Sequence, residues 1–332
     1  VYWSNWSGLT DVVSAMQVQR GLGASKLAIS SVGGTINVLT KSTELTKGGK
    51  IAATVGNDGY MKTVASYNTG EMEGGHALSL LFSRVEGDGY VDGTMFEGYN
   101  YFMGYGWASE DDKHNVQVIV TGAPQVHNQR TNSFYNMATG QQYKDYGIRY
   151  NYNHGYLNGQ EFNWRRNFYH KPIASVNWEY KINESTNLSA SAYYSVGRGG
   201  GTGDIGRAYG FQFASGDLNY NGKYAFRNPI NGHFDYDKLA AYNGGTPTTF
   251  YNGSTASNSI DAATGLYIVN DPDERVDGVK RNGIVRRASV NSHNFVGSLV
   301  NLKKELSDKL TLDFGVDLRN YRGIHYRRLD NL

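Results

Sequence analysis

The sequence predicts an all-β protein, a transmembrane antiparallel β-barrel of which this chain contains about nine strands. Three observations predict this fold class. Segments of about ten residues alternate between apolar and polar side chains, as strands with two unlike faces do. The connections between these segments alternate between short and long. The composition combines 42 Gly and 26 Tyr with only 5 Pro.

The composition also limits the class of protein. Hydrophobic residues make up 39% of the chain, less than in an average globular domain, which suits either a disordered chain or a barrel with a polar lumen. The regular alternation favours the barrel. The net charge of +2 and the lack of a basic stripe predict no nucleic-acid partner. The absence of Cys excludes disulfides and thiolate metal sites.

The alternation predicts individual strands. It is clearest in residues 76–84, 172–180, 188–196 and 309–319. In 309–319 the even positions are apolar, whereas Asp313 and Asp317 face the predicted lumen. Weaker patterns lie near 50–57, 60–69, 99–108, 114–123 and 293–303. No apolar run approaches the roughly 18 residues of a spanning helix, but barrel strands give a much weaker hydropathy signal.

The connections differ in length on alternate sides of these strands. On one side the connections 68–75, 109–115, 181–187 and 303–309 are short. On the other side the tight turn 56–59 is followed by the longer connections 85–98, 124–170 and 197–291. Short turns on one rim and long extracellular loops on the other are typical of outer-membrane barrels. Aromatic residues near strand ends predict interfacial girdles. They are Tyr99, Tyr101, Tyr105, Trp107, Tyr180, Tyr193, Tyr194, Tyr321 and Tyr326.

Residues 18–41, VQRGLGASKLAISSVGGTINVLTK, carry the most specific motif. They predict two strands joined by a Gly/Ser-rich connection. The arrangement resembles the end of the plug domain of TonB-dependent outer-membrane transporters, where a V-x-R-G run and a GG-x-IN-x-x-TK strand close the plug. The matching residues are Arg20, Gly21, Gly33, Gly34 and Asn37.

Two features depart from the family pattern. Ile29-Ser30-Ser31 stands near the place where members usually carry a Tyr-Gly pair. The SRGANG run of the carbohydrate-uptake subgroup is also missing, so the resemblance does not carry glycan uptake with it. The runs at 122–130 and 317–327 look like Bacteroidetes members of the family.

The resemblance implies a domain division and a location. Residues 1–45 would be the C-terminal part of the plug, and residues 46–332 the N-terminal part of a barrel of about twenty-two strands. The protein would lie in the outer membrane of a Gram-negative bacterium. Because an odd number of strands leaves unpaired edges in lipid, and because the sequence starts without Met, we expect an interior part of a longer protein.

The resemblance also implies a function: active import of a nutrient, which could be a siderophore, vitamin, peptide or glycan. Its partners would be outer-membrane lipid and the TonB–ExbB–ExbD complex, reached through a segment outside this sequence. A surface lipoprotein partner is left open. The alternative is a receptor or adhesin that uses the barrel only as an anchor. A diffusion porin would need no plug motif, and we expect no cofactor, no metal and no catalytic residues.

Aromatic residues in the first long loop are the candidates for substrate contact, because Tyr and Trp are adaptable contact residues. They are Tyr143, Tyr146, Tyr150, Tyr152, Tyr156 and Trp164. The alternative is that they pack among the loops.

Four further motifs have plainer interpretations. The run Gly201-x-Gly203-x-x-Gly206 matches a dinucleotide fingerprint, but no amphipathic helix follows it, which predicts a flexible glycine loop. The acidic run at 271–277 lacks EF-hand spacing. The scattered His114, His127, His154 and His170 lack metal-ligand spacing. For Arg20 the resemblance implies pairing with a barrel carboxylate; Asp313 and Asp317 are candidates, and carboxylates of barrel strands outside this sequence are equally open.

Overall fold

The computed structural model describes residues 15–20, 34–39, 45–130, 140–206, 226–269 and 283–331. Its strands are β1 (Ala15–Arg20), β2 (Gly34–Leu39), β3 (Gly48–Val55), β4 (Met61–Asn68), β5 (His76–Gly87), β6 (Phe96–Ala108), β7 (His114–Gly122), β8 (Gln125–Asn128), β9 (His154–Leu157), β10 (Gln160–Asn163), β11 (Arg166–His170), β12 (Ile173–Asn183), β13 (Thr186–Gly206), β14 (Phe234–Asp235), β15 (Thr248–Thr249), β16 (Thr255–Ala256), β17 (Ile284–Ser307) and β18 (Leu310–Asn331). The helices are α1 (Gly140–Tyr146) and α2 (Tyr236–Asn243).

The plug-like stretch contains an antiparallel strand pair. Strands β1 and β2 pair in register, with Val18 opposite Ile36 and Arg20 opposite Gly34. This confirms the two predicted strands of the motif. The connection between them, which includes Gly21 and Gly33, lies outside the described residues.

One large antiparallel sheet contains the rest of the long strands. Strands β7 and β8 both pair with β6, and β11 and β12 both pair with β13. Strands β7 and β8 therefore occupy one strand position in the sheet, and β11 and β12 another; each such position is called a stave here. The two divided staves are interrupted near Pro124 and Pro172, which lack the backbone N–H needed for the ladder. The staves follow one another in chain order from β3 to β18. Within the described residues this gives nine staves, as predicted.

The two faces of this sheet differ in polarity. The outer face carries exposed apolar side chains, among them Phe82, Val176, Phe314 and Leu318. The inner face carries polar side chains such as Ser83, and Asn100 donates to Ser83 Oγ at 2.8 Å. A row of exposed Phe and Leu is unfavourable in water but favourable against lipid. The predicted alternation is confirmed.

Aromatic side chains follow the outer face at the rim of short turns. His114 stacks on Tyr180 with ring centroids 4.3 Å apart, and Trp178 Nε1 donates to His114 Nδ1 at 3.2 Å. Two members of the predicted girdle are placed differently. Tyr193 and Tyr321 lie on the inner face, where both rings contact Phe295 at centroid distances of 5.1 and 5.7 Å. The side-chain-free Gly297 opposite Tyr193 leaves room for that ring on the inner face.

The short connections are confirmed, but the long ones are shorter and more ordered than predicted. Strand β13 continues to Gly206 and β17 begins at Ile284, so the predicted loop 197–291 was too long at both ends. The predicted loop 124–170 contains β8 to β11 and α1. The glycines of β13 have no side chains, so the alternation of apolar and polar residues that predicts a strand is absent from this part of the sequence. Neither helix in the described part of the chain is long and apolar enough to cross a membrane.

Candidate functional site

The long connections fold onto a common aromatic core above the sheet, called the loop core here. Its buried members are Tyr152, Phe162, Trp164, Phe226, Phe234, Tyr236, Leu239, Tyr242, Phe250 and Ile284. The Trp164 and Tyr236 rings stack with an interplanar angle of 3°, and Tyr236 Oη donates to Asn153 O at 2.7 Å. Complete burial raises the pKa of Tyr236 far above its ordinary value. Burial of this size makes the long connections a packed unit rather than free loops.

Arg227 joins the two long connections at the centre of the loop core. Arg227 is fully buried. Its guanidinium donates to Tyr150 Oη at 2.8 Å, to Gly232 O at 2.5 Å and to Tyr152 O at 2.7 Å. It also lies 4.2 Å from the ring centroid of Tyr152, within cation–π distance. Hydrogen bonds and ring contacts together compensate for removing this charge from water.

The six aromatic candidates for substrate contact separate into two groups. Tyr150, Tyr152 and Trp164 are 2%, 6% and 0% exposed, so their surface is used in packing. Tyr143 and Tyr146 are half-buried in α1, and Tyr156 is exposed. Substrate contact by this second group stays a prediction.

Tyr156 lies in a groove of about 370 Å³ at the loop rim, called the rim groove here. His154 is buried beside it, with its Nε2 atom 2.8 Å from Glu161 Oε1. The His233 ring lies 4.7 Å from the His154 ring, and burial followed by repulsion from His154 lowers the pKa of His233. The imidazole of His233 and the carboxylate of Glu161, which accepts hydrogen bonds, are available at this rim to a polar ligand.

The described residues contain no group of three or more His, Asp or Glu arranged to hold a metal ion. His114 and His127 lie on the barrel staves β7 and β8. His170 lies on β11, where it hydrogen-bonds Tyr101 Oη at 3.0 Å. The acidic run 271–277 lies outside the described residues.

Two arginines converge on the inner face of the sheet, near the rim of long connections. Arg165 Nη1 and Arg287 Cζ lie 3.0 and 3.1 Å from the position that a Cβ would take at Gly203. Both guanidinium groups therefore lie over this glycine, and they are called the arginine pair here. Arg165 also lies 3.8 Å from Asp204 Oδ1, and Arg287 Nη1 donates to Ser289 Oγ at 2.6 Å.

The arginine pair has unused capacity to bind an anion. Arg287 Nε is buried and has no hydrogen-bond partner among the described residues. Arg327 lies on the neighbouring stave, opposite Ser289. Three positive charges, with Asp204 as the one carboxylate acting on Arg287 among the described residues, suit a carboxylate, phosphate or catecholate group. A guanidinium can bind such a group with two parallel hydrogen bonds.

The sequence run around Gly203 has a different structure from the one predicted. Residues 201–206 form the end of β13 and not a flexible loop. The absence of side chains lets groups from both neighbouring staves lie across the strand. A Cβ at Gly199 would lie 2.3 Å from the Tyr169 ring, and one at Gly197 would lie 2.2 Å from the His293 ring. The glycines thus shape the inner face beside the arginine pair.

The side chains of Arg20 and Asn37 lie outside the described residues. Of the carboxylates expected for Arg20, Asp317 forms an ion pair with Arg319, and Asp313 accepts from Asn301 Nδ2 at 2.7 Å. The pairing of Arg20 stays a prediction.

Comparison with solved structures decides the fold. The copper transporter OprC matches with a TM-score of 0.50 and 10% identity, over 94% of this chain and 34% of that chain. The chain has the fold of part of a TonB-dependent receptor barrel. The siderophore receptor PiuA from Acinetobacter baumannii has a TM-score of 0.45 at 9% identity, over 94% of this chain and 51% of that chain. The chain thus spans about a third of OprC and half of PiuA.

The structure of the complex of FpvAI with pyocin S2 has a TM-score of 0.46 at 11% identity, over 96% of this chain and 44% of that chain. No protein-family model matches the sequence, and no curated protein matches it either. The likeness is therefore one of fold.

The sequence interpretation missed Arg165 and Arg287. A signal was present, because double arginines occur at 165–166, 286–287 and 327–328. In a strand, adjacent residues face opposite sides, so each double arginine places one guanidinium toward the lumen and one away from it. Recognising that the three pairs share one level of the barrel requires the register between staves.

Proposed function

We propose that the protein is a TonB-dependent importer that carries an anionic nutrient, such as a negatively charged siderophore complex, across the outer membrane of a Gram-negative bacterium. Residues 1–45 belong to its plug and residues 46–332 to its barrel. Energy comes from the TonB–ExbB–ExbD complex, and the protein itself performs no catalysis.

The observation that carries this proposal is the nine-stave sheet with an apolar outer face and a polar inner face, which is similar in fold to part of OprC. An apolar outer face requires lipid. A barrel of the size of large outer-membrane transporters needs a plug to avoid leakage. The strand pair β1–β2 carries the plug motif in the sequence.

The anionic character of the nutrient is inferred from the arginine pair. Arg165 and Arg287 repel each other over Gly203, and a bound anion would relieve that repulsion. Because the inner face of a barrel is shielded from lipid but open to solutes, a charged group there meets the solute and not the membrane.

Uptake by whole cells tests the proposal. Cells with the full-length protein would receive radiolabelled iron as ferric siderophore complexes of negative, neutral and positive net charge, with and without a protonophore. We expect protonophore-sensitive uptake of the negative complex. Removing residues 11–41 should abolish energy-dependent uptake and leave an uncoupled pore.

Variants separate the substrate class from the transport mechanism. Arg165→Ala combined with Arg287→Ala should lower uptake of the negative complex at least tenfold, about 1.4 kcal/mol, with little effect on a neutral one. Arg322→Ala, on the outer face, is the matched control. Binding without protonophore-sensitive uptake for any complex would contradict import and favour the anchored receptor or adhesin.

A further inference from the structure

A second groove lies on the outer face of the sheet, toward the rim of long connections. It encloses about 410 Å³ and is called the outer groove here. Its floor is small, since Val290 and the backbone of Gly199 lie at its base between the larger Phe168 and Tyr326. These side chains occupy the same face as the apolar belt of Val296 and Leu318, so the groove continues the lipid-facing surface.

The charge of the outer groove is positive. Arg198 and Arg328 line it and are exposed. Among the described residues neither forms an ion pair, and Arg328 lies 5.4 Å from the Phe168 ring centroid. The carboxylate in the lining, Glu97, accepts from Arg84 Nη2 at 2.9 Å and from Tyr99 Oη at 2.6 Å. Glu97 is therefore already compensated, and the two guanidinium groups are not.

A buried polar atom also lies in this groove. Ser292 lines it, is 3% exposed, and its Oγ has no hydrogen-bond partner among the described residues. Leaving a buried hydroxyl unpaired is unfavourable unless a ligand satisfies it. The outer groove therefore combines an apolar floor, two uncompensated cations and a free hydroxyl.

We propose that the outer groove binds a membrane lipid whose headgroup carries a phosphate, with an acyl chain against Phe168 and Val290 and the phosphate between Arg198 and Arg328. The position selects a lipid over a soluble phosphate, because the groove faces the bilayer and not the lumen. The inference rests on the proposed placement of the barrel in the outer membrane.

Native mass spectrometry of the full-length protein, delipidated in detergent, tests the proposal with phosphatidylglycerol and phosphatidylcholine as probes. We expect wild-type protein to retain phosphatidylglycerol preferentially. Arg198→Ala combined with Arg328→Ala should weaken that binding about tenfold to thirtyfold, as expected for two arginines near a headgroup. Arg198→Lys combined with Arg328→Lys should keep most of the phosphatidylglycerol binding, because both positive charges remain.

Lys171→Ala is the matched control, because it removes one positive charge next to His170 in the chain but on the opposite face of the stave. Equal binding by wild-type and double-Ala protein would overturn the proposal. Displacement of lipid by millimolar inorganic phosphate would overturn it as well, since the site would then take a soluble anion. The migration of each variant on gels, with and without boiling, shows whether its barrel is folded. Loss of lipid binding in a variant with a folded barrel is then a property of this site alone.

Discussion

In the barrel wall the apolar side chains face outward, whereas in the loop core they face inward. Phe314 and Leu318 of the wall are 62% and 64% exposed, but Trp164 and Tyr236 of the loop core are fully buried. The same hydrophobic effect produces both arrangements, because the wall has lipid as its outer solvent and the loops have water. The two regions are therefore stabilised by different environments and should fail under different changes.

The largest expected effect concerns the loop core. Arg227→Leu removes a buried charge and its three hydrogen bonds, which should destabilise the loop core by on the order of 3–5 kcal/mol. Hydrogen exchange of residues 226–256 should accelerate while the barrel keeps its heat-modifiable migration.

Arg149→Leu is the control for this change. Arg149 lies in the same loops, is half exposed, and pairs with Asp58 at the surface, where an ion pair contributes no more than about 1 kcal/mol. If both arginine variants affected exchange equally, Arg227 would not hold the loop core together.

A smaller effect is expected when a charge is moved from one face of the wall to the other. Val300 faces outward and its neighbour Leu299 faces inward, opposite Asp317. Val300→Arg should destabilise the barrel by about 2–4 kcal/mol if it lies near the middle of the bilayer, measured by urea unfolding in lipid vesicles. Leu299→Arg should cost much less, because the lumen is polar. A larger cost for Leu299→Arg would mean that the faces are reversed.

The smallest effect is a pH dependence of the loop core. Tyr251 Oη donates to Asp235 Oδ2 at 2.9 Å, and Asp235 also caps α2 by accepting from Lys238 N. Burial, followed by this hydrogen bond, raises the pKa of Tyr251 from 10.0 to about 12. The contribution of the neutral phenol is thus complete below pH 10 and is lost as the pH rises through about 12.

Absorbance titration of the phenolate checks this. Tyr251→Phe should remove one tyrosine that titrates near pH 12, and Asp235→Asn should lower the pKa of Tyr251. Loss of absorbance near pH 10 instead of near pH 12 in Tyr251→Phe would show that Tyr251 ionises with the exposed tyrosines.

The strands of the barrel wall could be predicted from the sequence because the alternation of apolar and polar residues is a local pattern. Alternation in 309–319 identifies β18 and places Asp317 on the inner face without any knowledge of neighbours. The pattern fails where side chains are absent, as in the glycines at 197–203, so the extent of β13 was missed. Alternation also places Tyr193 on the polar face of its strand, and the prediction that failed was its membership of the interfacial girdle, which rested on its position near a strand end alone.

The packing of the loop core could not be predicted from the sequence, because the residues in contact there are far apart in the chain. Arg227 meets Tyr150 across 77 residues, and no periodic pattern marks either residue. Aromatic content alone indicated contact residues and left open whether they contact ligand or each other. The arginine pair was missed for the same reason. Arg165 and Arg287 are far apart in the chain, and only the register between three neighbouring strands brings them together.

The most direct test of the central claim, a barrel wall with lipid outside and a polar lumen inside, is cysteine accessibility along β18. The chain has no native Cys, so single substitutions at 312–318 report one position each. In outer membranes, we expect a water-soluble maleimide to label Asp313→Cys and Asp317→Cys but not Leu312→Cys, Phe314→Cys or Val316→Cys. Uniform labelling along the strand would contradict the barrel and place both faces in water.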